Sequence, residues 1–517
     1  MKTKAVRLYG KEDLRLEEFE LPAIKEDEIL AKVISDDICM SSYKSSHQGA
    51  DHKRVPDDVA ENPTIIGHEF AGVIVEVGKK WQDEFKPGDK FSIQPAINYP
   101  GGPVGILSAP GYSYKYCGGD ATYVIIPGEV MEQKCLFRYS GEAFYPASLS
   151  EPISCVIGAL HAHYHTTPGS YVHKMEIKEG GKMALLAGVG PMGLAMINYV
   201  LHREGPVPSL FVVTDIDQSR LDRAESLYTK EMFAKRGIDI HYVNTGSGDP
   251  VATLKELSGG TGYDDVVVMA PVPAVVEQAD AILGFDGCLD FFSGPKSPDF
   301  SAKFNFYNVH YMMHHVVANS GGDVKDMADS VDWIGKGHLH PEVMITHVGG
   351  LDSAAQATLD MLKIPGGKRL VYTHVNMPMT AIADFAEKGK DDPKKIPTIS
   401  FGISIQYEKS PLFEALEAAG NLLYQAKYWY GKAPKNALRL HLQKHSGQSV
   451  LFCEEQMDRE GFLMFRALEV CATVEDFDHF LDTLSKPMYV EANFGVTDAR
   501  GGAVYYEVDN WRVRARY

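Results

Sequence analysis

The sequence has no closely spaced pair of cysteines. Its seven, at 39, 117, 135, 155, 288, 453 and 471, are odd in number and include no C-x-x-C step. That argues against a disulfide framework and suits a reducing compartment. Positive charge is also short: 51 Lys and Arg against 69 Asp and Glu leave a net charge of −18. Such a balance argues against general nucleic-acid binding. The opening MKTKAVRLYGKEDLRLEEFE lacks the apolar centre of a signal peptide. A single run, MALLAGVGPMGLAMINYVL over 183–201, approaches the length of a membrane span. Its glycines and Pro191 fit a strand, a turn and a helix better, so the expectation is a cytoplasmic protein with no membrane partner.

What is present is globular. Hydrophobic residues make up 44% and charged residues 23% of 517, enough for about three domains at the usual size. Residues 1–150 hold short β-type runs such as AGVIVEV and ATYVIIP between Gly, Pro and Asp clusters. From about 180 to 300 buried apolar strands, KMALLAGV, SLFVVTD and YDDVVVMA, alternate with helical stretches. Near-continuous Val, Ile and Leu of this kind suit a doubly wound parallel sheet covered on both faces. β-type runs return over 310–376, where the first lobe is expected to complete itself. A charged, Pro-punctuated linker, EKGKDDPKKIP at 387–397, precedes a tail of different texture.

LLAGVGPMGLAM contains G-x-G-x-x-G at Gly188, Gly190 and Gly193, after an apolar strand and at the start of a helix. In that context Gly188 is expected at the tight turn, Gly190 where the backbone meets a pyrophosphate, and Gly193 where helix and strand pack closely. Asp215, 22 residues beyond Gly193, would accept the ribose hydroxyls and favour NAD. Arg220, five residues on, keeps NADP open.

IIGHEFAGVIVEVG places His68 and Glu69 at the end of an apolar run, where an unpaired polar group costs several kcal/mol to bury. Cys39 follows another apolar strand, and Glu151 precedes a Pro and an apolar helix. A thiolate, an imidazole and a carboxylate make a plausible catalytic zinc set with an open fourth position. Taken singly, Cys39 reads as a small buried hydrophobe and His68 as a satisfied core histidine.

GHEFAGVIVEVG followed by FKPGDKF over 67–91, GGDATYV at 118–124 and GVGPMGL come in one order. Together they resemble the medium-chain dehydrogenase/reductase superfamily over roughly residues 1–376. SDDICMSSYK, SLSEPISC and FNFYNVHY look like its sorbose-1-phosphate reductase branch, which interconverts a ketose phosphate and a hexitol phosphate. The resemblance implies an α/β fold: a GroES-like β-rich catalytic domain over 1–152 and 310–380, and a Rossmann NAD(P)-binding domain over 153–309. A linker over 381–397 and an α+β tail over 398–517 would follow. It implies Cys39, His68 and Glu151 as zinc ligands and Glu69 as the carboxylate that tunes or transiently joins the metal. Ser41 would relay the substrate proton, and Lys44 stands where many relatives carry a relay histidine. The four-cysteine structural-zinc lobe of some relatives is missing, since 92–117 holds only Cys117, so one zinc per chain is expected. Polyol or sugar-phosphate substrates and a homo-oligomer are implied in the same way. Lys44, Lys53 and Arg54 are candidates for a phosphate by position, or else solvated surface charges.

HAHYH at 161–165 reads as a helix on which His161 and His165 share a face. HH at 314–315 sits in a β-type run, where neighbours point apart. The last 60 residues resemble an internal fragment of N-terminal-nucleophile hydrolases of the penicillin/carcinine acyltransferase type. NFGVTDARGGAVYYEV fits two antiparallel strands there, but Cys453 and Cys471 are internal and cannot offer a freed amino group. The preceding SPLFEALEAAGNLLYQAKYWYGKAPKNALRLHLQ, 410–443, reads as a helix. Two other readings stay open: a zinc-free NADPH reductase or binding protein, and an amide-hydrolase or interaction role carried by the tail.

Overall fold

Alternation within the apolar strands decides the layering. Met183, Leu185, Phe211, Val213 and Val267 enter one buried cluster, while Ala184, Leu186, Val212, Val266 and Val268 enter another. Successive residues of a strand face opposite sides, so both faces of this sheet are covered. Each fully buried Val or Leu contributes about 1.5–3 kcal/mol of transfer free energy. The computed structural model describes residues 1–384 except 168, 296 and 365. Beyond these it describes 419, 422, 401–405, 437–443, 449–455, 496–497, 503–504, 506–509 and 512–515.

Six parallel strands lie in the order Asp239–Asn244, Leu210–Asp215, Lys182–Leu186, Tyr263–Val268, Leu283–Asp290 and His315–Val317. This is the doubly wound order, with the reversal beside Lys182–Leu186. The sheet continues past residue 309, the expected end of the nucleotide-binding half, because His315–Val317 pairs with Cys288–Asp290. The apolar run 183–201 divides into the strand Lys182–Leu186 and the helix Pro191–His202, with proline at the helix start where its missing N–H costs nothing. Among the described residues no helix is long and apolar enough to cross a membrane.

A second, mixed sheet is built around Ile29–Ile38, which pairs with Phe70–Val77, Tyr123–Ile126 and Lys368–Tyr372. Lys90–Ile93 and Leu136–Arg138 extend one side; Ile345–Gly350 and Thr380–Ala381 extend the other. Strands from both ends of the first 384 residues thus share one sheet.

The HAHYH expectation needs correction. The helix Ser150–Ala162 ends before His163, and Tyr164–Thr166 is a strand. His161 reaches Asp326 Oδ1 at 2.6 Å, whereas His165 meets Asp265 Oδ1 at 3.0 Å. The two do not share a helix face, because β-branched and aromatic residues beyond Ala162 pair with His173–Met175. His314 and His315 do diverge, toward Asp280 (3.7 Å) and Asp286 (2.8 Å).

Residues 385–517 form a separate unit. Within it Ala437–Gln443 runs parallel to Phe401–Ile405 and antiparallel to Ser449–Glu455. The end of the expected 410–443 helix is therefore a strand; Ala-Leu-Arg-Leu-His-Leu alternates with period two, which a sheet accommodates and a helix does not. Val496–Thr497 pairs antiparallel with Ala503–Val504. Tyr506–Asp509 likewise pairs antiparallel with Arg512–Ala515, and the remaining residues of the hydrolase resemblance lie outside the described ones.

Candidate metal centre and nucleotide cleft

Four segments bring ionisable groups to one end of the mixed sheet. Ile29–Ile38 delivers Cys39 to the start of the helix Met40–Gln48. Lys368–Tyr372 runs antiparallel to that strand with Arg369 opposite Ile38, so Lys368 arrives beside Cys39. The third segment is Gly67-His68-Glu69. Gly67 has φ 90°, and a Cβ there would stand 2.3 Å from Asp36 Oδ2 and 2.7 Å from the Asp120 nitrogen. Only glycine lets the chain turn inward at this point, and the Asp37 N–H then holds the Glu69 carbonyl at 3.0 Å. The fourth is the helix Ser150–Ala162, which carries Glu151 in its first turn, the end that favours a carboxylate.

The ligand atoms of Cys39, His68 and Glu69 all lie within 4.8 Å of one another. His68 and Glu69 are buried and Cys39 is half-buried. The imidazole is fixed from both edges: Ser42 Oγ is 3.2 Å from Nδ1, and Tyr112 Oη is 3.2 Å from Nε2. Glu69 Oε1 lies 3.9 Å from the same Nε2, and the carboxylate is gripped by the Lys368 ammonium. Ser41 hydrogen-bonds Tyr112. Glu151 is buried, accepts the Cys155 thiol at 3.7 Å and is near enough for its charge to act on Cys39. It is not one of the three mutually close donors.

The donor set fits a divalent cation. Burial pushes the Cys39 thiol up to about 12, with the Glu69 charge adding to it. Burial likewise raises Glu151 to about 8, and Glu69 again adds. Asp37, also buried, rises to about 8 for the same two reasons in the same order. Lys368 is the buried cation among them: burial pulls its ammonium toward neutrality, but Cys39, Glu69 and Asp37 together raise it. A thiol and three carboxylates around one ammonium leave an excess of potential anions, which a coordinated metal ion would stabilise in their charged forms.

In the parallel sheet, the turn after Lys182–Leu186 leads into the helix Pro191–His202 through Gly190. A Cβ on Gly193 would stand 2.0 Å from the Gly188 oxygen, so a side chain there would force helix and turn apart. Gly190 has no heavy atom within 4 Å of a Cβ position; its backbone faces open space at a helix N-terminus, the setting that takes a phosphate. The left-handed residue of the turn is Ala187, at φ 53°, one before Gly188. A cleft here is lined by Gly190, Pro191, Arg220, Arg223, Thr346 and Gly367. Asp215 ends its strand, and its Oδ1 accepts the N–H groups of Ile216 (2.8 Å) and Asp217 (3.1 Å). Arg220 Nε lies 3.6 Å from Asp217.

Lys44 belongs to the helix that follows Cys39, and its Nζ donates to the Gly294 carbonyl at 3.1 Å, beyond the strand Leu283–Asp290. It thus ties the metal-centre helix to the nucleotide sheet's loop. Lys368 and Tyr112 were not singled out by motif. Lys368 carried a signal in retrospect, a Lys-Arg pair entering an otherwise apolar strand; Tyr112 carried none.

Residues 25–134 match the alcohol dehydrogenase GroES-like domain. The chain is 51% identical over 393 residues to mannitol-1-phosphate 5-dehydrogenase of Aliivibrio fischeri, covering 76% of this chain and 91% of that protein. It is 47% identical over 386 residues to L-sorbose 1-phosphate reductase of Klebsiella pneumoniae, covering 74% and 92%. Among solved structures, 2R,3R-butanediol dehydrogenase from Bacillus subtilis superposes with a TM-score of 0.56 at 22% identity, over 72% of this chain and all of that one.

Proposed function

Since the chain belongs to the zinc-type medium-chain alcohol dehydrogenase family with a GroES-like domain, we propose that it moves a hydride between NAD(P) and a polyol or ketose bearing a phosphate. It is an oxidoreductase, and the cofactors of its family are zinc and NAD(P). The substrate class is proposed from the two relatives, at 51% and 47% identity, whose names are those of sugar-phosphate enzymes. The observation that carries the reading is the convergence of Cys39, His68 and Glu69 donors within 4.8 Å.

Cys39 and His68 would hold the zinc with Glu151 as third ligand. Lys368 already pairs with Glu69, whereas Glu151 makes no ion pair among the described residues; burial favours its neutral form, and a cation would draw it to the charged one. Glu69 then stays beside the metal as a carboxylate whose strength Lys368 sets. When bound, zinc supplies Lewis-acid stabilisation of charge on the substrate oxygen and the nicotinamide gives or takes the hydride. Ser41 would relay the proton leaving the substrate hydroxyl, accepting it on Oγ as its own O–H proton passes outward to solvent, and its bond to Tyr112 orients it. Ser42 keeps His68 in the rotamer that turns Nε2 toward Glu69. Lys44 holds the Gly294 loop against the same helix, which positions the nucleotide half rather than extending a proton path. Gly188, Gly190 and Gly193 would cradle the pyrophosphate, Asp215 the adenosine ribose, and Arg220 a 2′-phosphate if one is present.

We further propose a catalytic domain that begins with residues 1–152 and is completed by the strands Ile345–Gly350 and Lys368–Tyr372, around a nucleotide domain that starts near residue 153 and extends past 309 through His315–Val317, together with a cytoplasmic location and a homo-oligomeric assembly. Assay of hexitol phosphates, ketose phosphates and free polyols with both nicotinamides, with zinc measured in the same sample, tests the function. Turnover confined to zinc-bearing protein and faster on phosphorylated substrates supports it. Equal turnover after complete zinc removal would refute it.

A further inference from the structure

Near the metal centre lies a group of cations that the reaction itself does not use. His52 stacks on Tyr112 with ring centroids 5.9 Å apart, and the Arg54 guanidinium carbon is 5.8 Å from the centre of the same ring. Tyr112 in turn reaches His68 Nε2 at 3.2 Å. One tyrosine therefore separates the guanidinium from a metal-binding imidazole. Lys44, Lys53 and Arg54 all stand close enough to His52 for their charges to act on it. Burial first, then these three cations, pull His52 down to about 4, so its ring is neutral at ordinary pH. Its Nδ1 accepts the Arg54 N–H at 3.3 Å, which leaves the proton on Nε2, a donor.

The local charge is opposite to that of the whole chain, whose net is −18. Neither Lys53 nor Arg54 makes an ion pair among the described residues. The nearest acid in sequence, Asp51, is turned to Lys11 at 2.5 Å. One arm of Arg54 donates to the Leu107 carbonyl at 2.8 Å, which fixes the guanidinium while other N–H groups stay available. A planar fork and a neutral imidazole donor on one ring, with an exposed lysine between them in sequence, supply the recognition chemistry of a phosphate dianion.

We propose that His52, Lys53 and Arg54, with Lys44 on the neighbouring helix, form the subsite that holds the substrate's terminal phosphomonoester. This rests on the sugar-phosphate reading above and names the groups that would enforce it. The subsite would select phosphorylated over free ketoses and polyols, and would take inorganic phosphate as a competitor of the sugar phosphate.

The test is the ratio of kcat/KM for a ketose phosphate to that for the free ketose, measured on the full-length zinc enzyme, wild type, K53M, R54M and K255M. Lys255 is exposed and lies in the helix Pro250–Leu257 of the nucleotide half. Inhibition by inorganic phosphate is measured alongside. The ratio is expected to fall by about tenfold or more in K53M and in R54M, phosphate inhibition to weaken with it, and K255M to match wild type. If R54M does not fold, K53M decides, since Lys53 is exposed. A wild type that prefers the phosphorylated substrate while both variants keep the ratio and the phosphate inhibition would overturn the subsite and leave the proposed function standing. A wild type with no such preference would overturn the sugar-phosphate reading and the subsite with it.

Discussion

The Lys368 ammonium closes on both carboxylate oxygens of Glu69, with the two side chains 6% and 1% exposed. The pair joins the strand that completes the mixed sheet to the turn that carries His68. Buried ion pairs add little over an apolar replacement of both partners, but removing one partner leaves an uncompensated charge. Lys368→Met should therefore destabilise the protein by about 3–5 kcal/mol, read from urea midpoints at neutral pH. A change below about 1 kcal/mol, the range of an exposed pair, would show that the pairing is not maintained in solution.

Cys39→Ser replaces a soft thiolate by a weakly acidic hydroxyl without changing the backbone. Loss of even an outer-sphere partner at such sites costs 10–100-fold, so loss of a ligand should lower zinc content and turnover by about a hundredfold or more. Circular dichroism and NAD(P) titration should remain close to wild type, because the nucleotide sheet has its own core. Full activity in the variant would remove Cys39 from the ligand set.

Asp215→Ala tests the ribose assignment. The carboxylate ends its strand beside Gly188, whose N–H donates to Thr214 O at 2.7 Å. NAD affinity should fall by about tenfold, or ~1.4 kcal/mol, and NADP affinity much less. Equal losses for both would mean that Asp215 serves only the N–H groups of Ile216 and Asp217.

His161 predicts a pH signature away from the metal centre. Its Nδ1 lies 2.6 Å from Asp326 and its Nε2 3.3 Å from Glu176. The Asp326 hydrogen bond is the largest influence and raises the imidazole above its usual value, with burial opposing and Glu176 assisting. A raised folded-state value gives stability that is complete below the unfolded value, about 6.5, and lost as pH rises through the folded one. The stability difference between wild type and His161→Gln should thus be larger at about pH 6 than at about pH 8.5, measured by urea unfolding. A difference independent of pH would show that folding leaves the His161 value unraised.

The sequence disclosed those features that the backbone itself demands. Gly67 and Gly193 stand where a Cβ would strike neighbouring main chain or a buried carboxylate, so their spacing was readable as motif. Strand composition disclosed the two-sided sheet because Val, Ile and Leu must be buried on both faces. The position of Lys368 was hidden, since it depends on the pairing of Lys368–Tyr372 with a strand more than 300 residues earlier. Tyr112 was hidden for a similar reason: its role comes from meeting His52, Arg54 and His68 in space. His165 departs from helical spacing because pairing with His173–Met175 takes over beyond Ala162. Ala187 took the left-handed conformation expected of glycine, which costs an L-residue more and leaves no sequence mark.

Zinc-edge X-ray absorption of the purified, zinc-loaded enzyme tests the metal centre most directly. One zinc per chain with a single sulfur neighbour at about 2.3 Å and nitrogen or oxygen at about 2.0–2.2 Å is predicted, with the zinc itself largely lost in Cys39→Ser. A fully active enzyme with no stoichiometric zinc, or zinc with no sulfur neighbour, would contradict the convergence of Cys39, His68 and a carboxylate on one ion.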